Sequence, residues 1–404
     1  MNIVFLGFIS SDERLRVAFE RERAPQVSAV KFQKALLQGL GDECDRVRII
    51  STLPIAAYPR SPLLWIRGGE FTLDRAISGR EISVLNLPVA KLPLRFLGAC
   101  NQLRKLCRRG DVDAIVVYGA HTPFVASAEL MRRWYGVDFA VFVPDLPLHM
   151  RGKREAGIRA WLKRLDNVIL QRLVAKACVA FPFARAIGEE WLPPEVPYEV
   201  VEGVAPAVTQ SCCAMPGPSG RRTFVYTGAF SQISRFASLF HQRKEIEAEL
   251  VFIGAGPEEA ELRALAERDD RVIVKSFMTE ERLAGEIEAA DILLNPRDTQ
   301  WEGARYSFPS KLMDYLSRGL PVASTRLAGI PAEYFEVFFA LDDSSAEALA
   351  ASLNDVISAD AAECQRRIDL GYRLLQERKS PSAVARRVLT AVRNASPKDR
   401  HASQ

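Results

Sequence analysis

The chain has 404 residues, 48% hydrophobic and 26% charged, with 24 Gly and 23 Pro; this excludes a disordered, collagen-like or disulfide-scaffold chain and predicts two globular domains. Net charge is +4, too small to imply nucleic-acid binding, yet residues 1–205 hold 29 Lys+Arg against 22 Asp+Glu while the remainder holds 25 against 28. The front half is the basic half, which suggests an anionic partner such as a membrane surface or a phosphorylated ligand.

The first apolar run, Ile3 to Ile9, lacks a basic start and a cleavage site, so it predicts a strand rather than a signal peptide. No apolar run approaches the roughly 20 residues that span a bilayer. The seven cysteines are odd in number and carry no CxxC, which predicts a reducing cytoplasmic location and no structural zinc. Apolar β-rich runs then alternate with amphipathic runs, the pattern of parallel sheets with crossover helices. In the first half strands are predicted at Ile3–Phe8, Val47–Ser51, Ile82–Asn86, Ala114–Tyr118, Ala140–Val143 and Cys178–Phe181. A helix is predicted over Gln26–Leu40, stopped by Gly39 and Gly41. The stretch 208–222, with Pro216, Gly217, Pro218 and Gly220, predicts a linker. Strands resume at Thr223–Thr227, Leu250–Ile253, Val272–Val274, Ile292–Asn295 and Pro321–Ser324, and a helical tail carries Arg386, Arg387 and Arg393 on a polar, solvated face. The expected organisation is residues 1–207 as one Rossmann-like domain, 223–380 as a second, and 381–404 as a terminal helix and tail. Such sheets bind ligands at the carboxyl ends of their strands.

Gly254-Ala255-Gly256-Pro257 lacks the third glycine of a dinucleotide fingerprint, so it reads as a strand-to-helix turn with Pro at the first helical position rather than an NAD cradle. The stretch Tyr306-Ser307-Phe308-Pro309-Ser310-Lys311-Leu312-Met313-Asp314-Tyr315-Leu316, closed by Gly319-Leu320-Pro321-Val322, is more specific. It resembles the donor-binding element of retaining family-4 glycosyltransferases, in the FPSKLxEYL branch associated with polysaccharide biosynthesis. Phe224–Gly228, Leu250–Pro257 and Ala290–Arg297 follow in family order, and the match covers most of residues 223–345. In the first half it is thinner, resting on Lys31-Phe32-Gln33, His121, Pro144-Asp145-Leu146-Pro147 and Val201-Glu202-Gly203.

The resemblance implies an α/β GT-B fold, two doubly wound Rossmann-like domains facing across a cleft. It implies a nucleotide-diphosphate sugar donor and a glycan acceptor, lipid-linked, in exopolysaccharide, capsule or O-antigen type biosynthesis. Ser307 to Ser310 would open the helix Lys311–Ser317, whose free N–H groups suit a phosphate. Asp314 matches the second acidic position of the family's E-x7-E element, which holds the ribose hydroxyls; Tyr306 stands where the first acid is expected, with Glu302 or Ser307 as substitutes. Arg235, after Gly228, matches a basic residue on the pyrophosphate, although a surface Arg is the bland alternative. Ala229 replaces a second Arg, with Arg297 or Lys311 compensating. His121 would touch the donor sugar from the first domain, and Asp145 would orient an acceptor hydroxyl or serve a plain turn. No metal and no cofactor are expected. With no carboxylate nucleophile evident, a front-face retaining route is expected, the leaving pyrophosphate accepting the acceptor's proton. A non-catalytic nucleotide-sugar-binding subunit is the rival reading.

Arg151 to Lys176 holds eight Lys+Arg with Trp161, Leu162, Leu165, Ile169 and Leu170 among them. It reads either as an interfacial amphipathic helix giving peripheral attachment to the inner face of the cell membrane or as a core-packed helix with a basic face.

Overall fold

The computed structural model describes residues 1–22, 26–146, 157–206 and 221–395, and they divide into two compact units. Unit 1 comprises 1–204 and returns with 380–404; unit 2 is 205–379. Most of the expected linker lies outside the described residues, and Arg222 already opens a strand. The terminal helix belongs to unit 1.

Unit 1 contains β1 (Asn2–Gly7), α1 (Asp12–Phe19), α2 (Val27–Glu43), β2 (Arg46–Ser51), β3 (Trp65–Ile66), β4 (Glu70–Asp74), β5 (Ile77–Glu81), β6 (Val84–Leu85), α3 (Lys91–Cys107), β7 (Ala114–Tyr118), α4 (Thr122–Tyr135), β8 (Asp138–Val143), α5 (Ile158–Val174), β9 (Val179–Pro182) and α6 (Arg185–Glu190). Its main sheet runs β4-β5-β2-β1-β7-β8-β9, parallel except for the edge hairpin β4–β5. The central strands are apolar on both faces, as a sheet covered by helices requires.

Two sequence expectations are corrected here. The strand expected at Ile82–Asn86 shrinks to β6, paired only with β3, and the main-sheet strand is β5 just before it. The sequence of β5, ISGRE, looks polar because only Ile77, Gly79 and Glu81 turn inward, and Gly79 lets the Phe71 ring lie where a Cβ would come within 2.3 Å of it. The second correction is α2, which runs through Gly39 and Gly41 to Glu43. Gly39 is a packing site rather than a stop, since a Cβ there would fall 2.0 Å from the Pro381 carbonyl oxygen. Pro381 starts the terminal helix α13 (Pro381–Ala395), whose Val384, Val388 and Leu389 join the same core as Leu36 and Leu40. The arginines of its polar face are tied down: Arg386 to Glu43 at 2.9 Å and Arg387 to Glu199 at 2.6 Å.

Unit 2 contains β10 (Arg222–Ala229), α7 (Ser234–His241), β11 (Ala248–Ala255), α8 (Glu259–Ala266), β12 (Val272–Lys275), α9 (Glu280–Glu288), β13 (Ile292–Asn295), α10 (Lys311–Leu316), β14 (Val322–Thr325), β15 (Phe339–Leu341), α11 (Ala346–Ile357) and α12 (Ala361–Leu374). The sheet is wholly parallel, in the order β12-β11-β10-β13-β14-β15. One face buries Phe224, Phe252 and Leu294 against α7 and α11; the other buries Val225, Leu293 and Val322 against α10 and the loops around it. Chain order reverses between β1 and β7 in unit 1 and between β10 and β13 in unit 2. Those are the two positions where open α/β sheets take ligands.

Candidate functional site

At the switch point of unit 2, β10 ends in Thr227-Gly228-Ala229. Gly228 has φ +136°, and a Cβ on it would fall 1.6 Å from the Lys311 amine. That amine donates to the Thr227 carbonyl oxygen and stands 5.4 Å above the Tyr226 ring. Tyr315, one turn further along α10, accepts the Thr227 N–H at 2.9 Å, so α10 is bolted to the end of β10 at two points. Phe308 and Pro309 are buried, Phe308 against Tyr334 at 5.3 Å. Burial of the Tyr226 hydroxyl pushes its pKa up, and the nearby Arg297 partly opposes this. Gly228, Lys311 and Arg297 therefore converge, and two cations meet at one strand end.

The remaining expected donor residues differ in exposure and pairing. Asp314 is half-exposed and makes a 3.8 Å pair with Arg318. Ser310 is exposed and makes no capping bond, and α10 is six residues long, so the side chains around its start outweigh its end charge. Ser307 is half-buried; its carbonyl oxygen lies where a Cβ on Gly329 would approach to 2.2 Å. Tyr306 ends a short 3-10 turn, with the Arg305 guanidinium 5.1 Å over its ring. Arg235, expected on the donor pyrophosphate, stands beside two carboxylates of unit 2. Its guanidinium pairs with Asp343 at 2.9 Å and Asp298 at 3.4 Å, so its charge is already met within unit 2.

The Gly254–Pro257 turn is filled by the protein itself. A Cβ on Gly254 would sit 1.8 Å from the Gly228 carbonyl oxygen, and the Phe230 N–H donates to the Ala255 oxygen at 2.9 Å. Glu258 then accepts the N–H groups of Gln232, Ile233 and Ser234 at 2.5, 2.8 and 2.9 Å, occupying the start of α7. Pro257 stands two residues before the first residue of α8 rather than at it. Sequence reasoning missed Tyr226, Tyr315 and Gly329; the strand-end tyrosine and the Gly329-Ile330-Pro331 turn were the available signals.

In unit 1, Tyr118 of β7 pairs with Phe142 of β8, and His121 and Asp145 each follow three residues later, at the carboxyl edge of the sheet. Asp145 is exposed, and its charge acts on the buried Tyr118 hydroxyl. His121 precedes α4, edge-on to Phe8 and Phe124 at 5.2 and 5.1 Å. Its Nε2 is 3.5 Å from the Nη1 of Arg95. Burial, then Arg95 and Lys91, holds its pKa well below 6.5. A cavity of about 230 Å³ lies elsewhere, against β5, lined by Gly68, Arg80, Glu81 and Gln102 among others and by none of the expected site residues.

Along α5, Leu170 is buried with Asn167 and Val174, whereas Trp161, Leu162, Leu165, Val168 and Ile169 are all exposed. Their spacing, i, i+1, i+4, i+7 and i+8, puts them on one stripe. Residues 151–156 of the expected helix lie outside the described residues. Among the described residues no helix is long and apolar enough to cross a membrane.

Residues 221–359 match the family described as Glycosyl transferases group 1. Over 113 residues the chain is 31% identical to the putative colanic acid biosynthesis glycosyltransferase WcaL of Salmonella typhimurium, covering 27% of this chain and 28% of that protein. Over 110 residues it is 36% identical to the amylovoran biosynthesis glycosyltransferase AmsK of Erwinia amylovora, covering 26% and 27%. The matches thus span little more than a quarter of these relatives. Among solved structures, the fold is similar to sucrose-phosphate synthase from Thermosynechococcus elongatus (TM-score 0.61, 12% identity, 98% of this chain and 99% of that one). It is also similar to the lipopolysaccharide outer core galactosyltransferase WaaB (TM-score 0.62, 15% identity, 97% and 99%). A third is Anabaena Alr3699/HepE in complex with UDP (TM-score 0.58, 12% identity, 97% and 99%). The chain has the GT-B fold, with its glycosyl transferases group 1 segment in unit 2.

Proposed function

We propose that this protein is a glycosyltransferase that moves a sugar from a nucleoside-diphosphate sugar, held by unit 2, to a hydroxyl of a glycan acceptor. The observation that carries the reading is the convergence of Gly228, Lys311 and Arg297 at the switch point of unit 2, within the matched segment, with Asp314 half-exposed on the adjoining helix. Lys311 and Arg297 stabilise the charge that develops on the leaving diphosphate, and the Asp314 carboxylate accepts the ribose hydroxyls. Gly228, Ser307, Phe308, Pro309 and Ser310 shape the surface on which the donor lies. The relatives named for colanic acid and amylovoran biosynthesis support a role in surface polysaccharide assembly, of the exopolysaccharide, capsule or O-antigen type.

Transfer proceeds with retention, as the family-4 resemblance implies. The acceptor oxygen bonds to the anomeric carbon as its bond to the diphosphate breaks, and the diphosphate takes the acceptor's proton. This route requires no carboxylate nucleophile, in keeping with Tyr306 at the expected acid position. A lipid-linked acceptor and peripheral attachment to an anionic membrane are supported by the exposed apolar stripe of α5, beside which Lys163 and Arg164 are exposed.

One observation favours a second reading: Arg235 is engaged by Asp343 and Asp298, and Tyr306 replaces an acid, as in a subunit that binds nucleotide sugar without turning it over. Incubation with a panel of nucleoside-diphosphate sugars, with and without glycan acceptor, separates the two. Acceptor-dependent release of nucleoside diphosphate is expected; tight binding with no release under any condition would establish the second reading instead.

A further inference from the structure

At the switch point of unit 1 the first two turns of α3 bring two cations to the carboxyl ends of β1 and β7. Arg95 is 5% exposed. Its guanidinium stands 5.5 Å over the Phe8 ring and 3.5 Å from His121, and its Nε–H is buried without an acceptor. Lys91, one turn earlier on the same face of α3, is half-buried, and burial followed by repulsion from Arg95 brings its pKa down to about 8. Phe8 is held in place by Gln33, which accepts the Phe8 N–H at 2.8 Å and donates to its carbonyl oxygen at 3.3 Å. Among the described residues no carboxylate pairs with Arg95, and the Glu22 carboxylate acts on Lys91.

The same chain shows what a structural buried arginine looks like. Arg271 has a side chain 5% exposed, and its guanidinium donates to both oxygens of Asp269 and to the carbonyl oxygens of Arg243 and Ile246. Among the described residues Arg95 has none of this beside it, but an aromatic face, which accepts no N–H in the guanidinium plane, and a histidine. Because Arg is a donor only, the contact with His121 makes Nε2 the acceptor and leaves the imidazole proton on Nδ1. A buried cation with an orphan donor is costly unless an anion completes it. The site lies where such sheets take ligands.

We propose that Lys91, Arg95 and His121 form an anion subsite in unit 1 that takes an oxyanion carried by the acceptor, either a sugar phosphate or a uronate carboxylate. The free Nε edge of Arg95 offers a planar fork, Lys91 a mobile point charge, and His121 Nδ1–H a neutral donor. The assignment rests on reading unit 1 as the acceptor side of a transferase.

Calorimetry on the full chain tests it, with glucose 1-phosphate, glucuronate and glucose as probes, and with nucleoside diphosphate titrated separately. At least one anionic sugar is expected to bind about tenfold or more tightly than glucose. Preference for glucose 1-phosphate assigns a phosphate, and preference for glucuronate a carboxylate. Arg95→Gln should erase the preference and leave nucleoside-diphosphate affinity unchanged; should that variant fail to fold, the half-buried Lys91→Gln carries the same test with a loss of several-fold. Equal affinity for all three sugars, or a preference that survives substitution, overturns the proposal. Absence of nucleoside-diphosphate binding alongside an intact anion preference would instead overturn the transferase reading and leave the subsite standing.

Discussion

The amine of Lys311 occupies the space that a side chain on residue 228 would need: a Cβ at Gly228 would fall 1.6 Å from it. The contact ties the glycine of β10 to the first residue of α10, 83 positions later, and explains both residues together. Gly228 also has φ +136°, where side chains are strained. Gly228→Ala should therefore cost about 1–3 kcal/mol of stability and displace Lys311 from the strand end. Thermal unfolding and nucleoside-diphosphate calorimetry would both register this. An alanine variant with unchanged Tm and affinity would show that the Lys311 position does not matter.

Asp314 offers a cleaner separation of binding from folding. Its 3.8 Å pair with Arg318 is half-exposed, so its removal should change stability by less than about 0.5 kcal/mol. Its proposed bonds to ribose are charged, and Asp314→Ala should weaken nucleotide binding by about 1–3 kcal/mol. Unchanged calorimetric affinity would remove the ribose assignment.

The parallel sheets were legible because their central strands are continuous apolar runs, as at Ala114–Tyr118 and Ile292–Asn295. The edge hairpin β4–β5 was not, since a half-covered edge buries only alternate residues and its outward Ser78 and Arg80 read as loop. The Ser307–Lys311 element was legible as a motif. What escaped was set by contacts distant in sequence: Arg235 paired with Asp343 across 108 residues, Gly39 receiving Pro381, and Arg95 with no paired carboxylate among the described residues. Residue type alone cannot say whether an arginine has been neutralised.

A buried ion network links the end of α7 to the start of β12. Asp269, with its side chain 2% exposed, receives Arg271 at 2.8 Å, Lys244 at 2.9 Å and His241 at 3.0 Å. The Arg271 bonds lead in holding its carboxyl well below the ordinary 3.8, helped by Lys244 and His241 and opposed by burial. A depressed carboxylate contributes stability above its unfolded pKa and loses it as pH falls towards the folded one. The protein should thus lose stability below about pH 4, and Asp269→Asn should flatten that acid limb while costing about 3–5 kcal/mol at neutral pH. Denaturant melts at pH 3 and pH 7 check both; an asparagine variant as stable as the parent at pH 7 would rule out the network as a stabiliser.

The stripe on α5 predicts salt-sensitive binding to vesicles of anionic phosphatidylglycerol. Trp161 is 61% exposed and Leu162 52%, more than a core-facing helix leaves open. Lys163→Glu with Arg164→Glu should reverse the local attraction, which is worth about 1 kcal/mol per basic residue near such a surface, and Leu165→Glu should remove insertion without changing distant charges. Co-sedimentation at low and high salt reads both effects. Sedimentation that survives all three substitutions would place the lipid contact elsewhere.

His121 provides the last prediction, because its protonation state follows from its neighbours. Burial first, then the charges of Arg95 and Lys91, hold its pKa well below 6.5, so the folded protein carries a neutral ring across the physiological range. The sign follows: the histidine binds its proton readily only on unfolding, so it contributes stability above about pH 6.5 that is lost as pH falls. Imidazole resonances followed by NMR should show that the His121 ring stays neutral as pH passes through 6.5; Arg95→Gln should move its titration back towards 6.5. A neutral ring with its proton on Nδ1 is a hydrogen-bond donor, not an acid, so His121 would hold an oxygen of the bound sugar substrate rather than transfer a proton. His121→Ala should accordingly lower turnover by about 10- to 1000-fold while leaving nucleotide affinity intact, and His121→Asn, which keeps a donor, should recover part of the loss. A pH–rate profile of the parent that falls off near pH 6.5 and loses this limb in His121→Asn would show that the histidine acts as an acid or base after all.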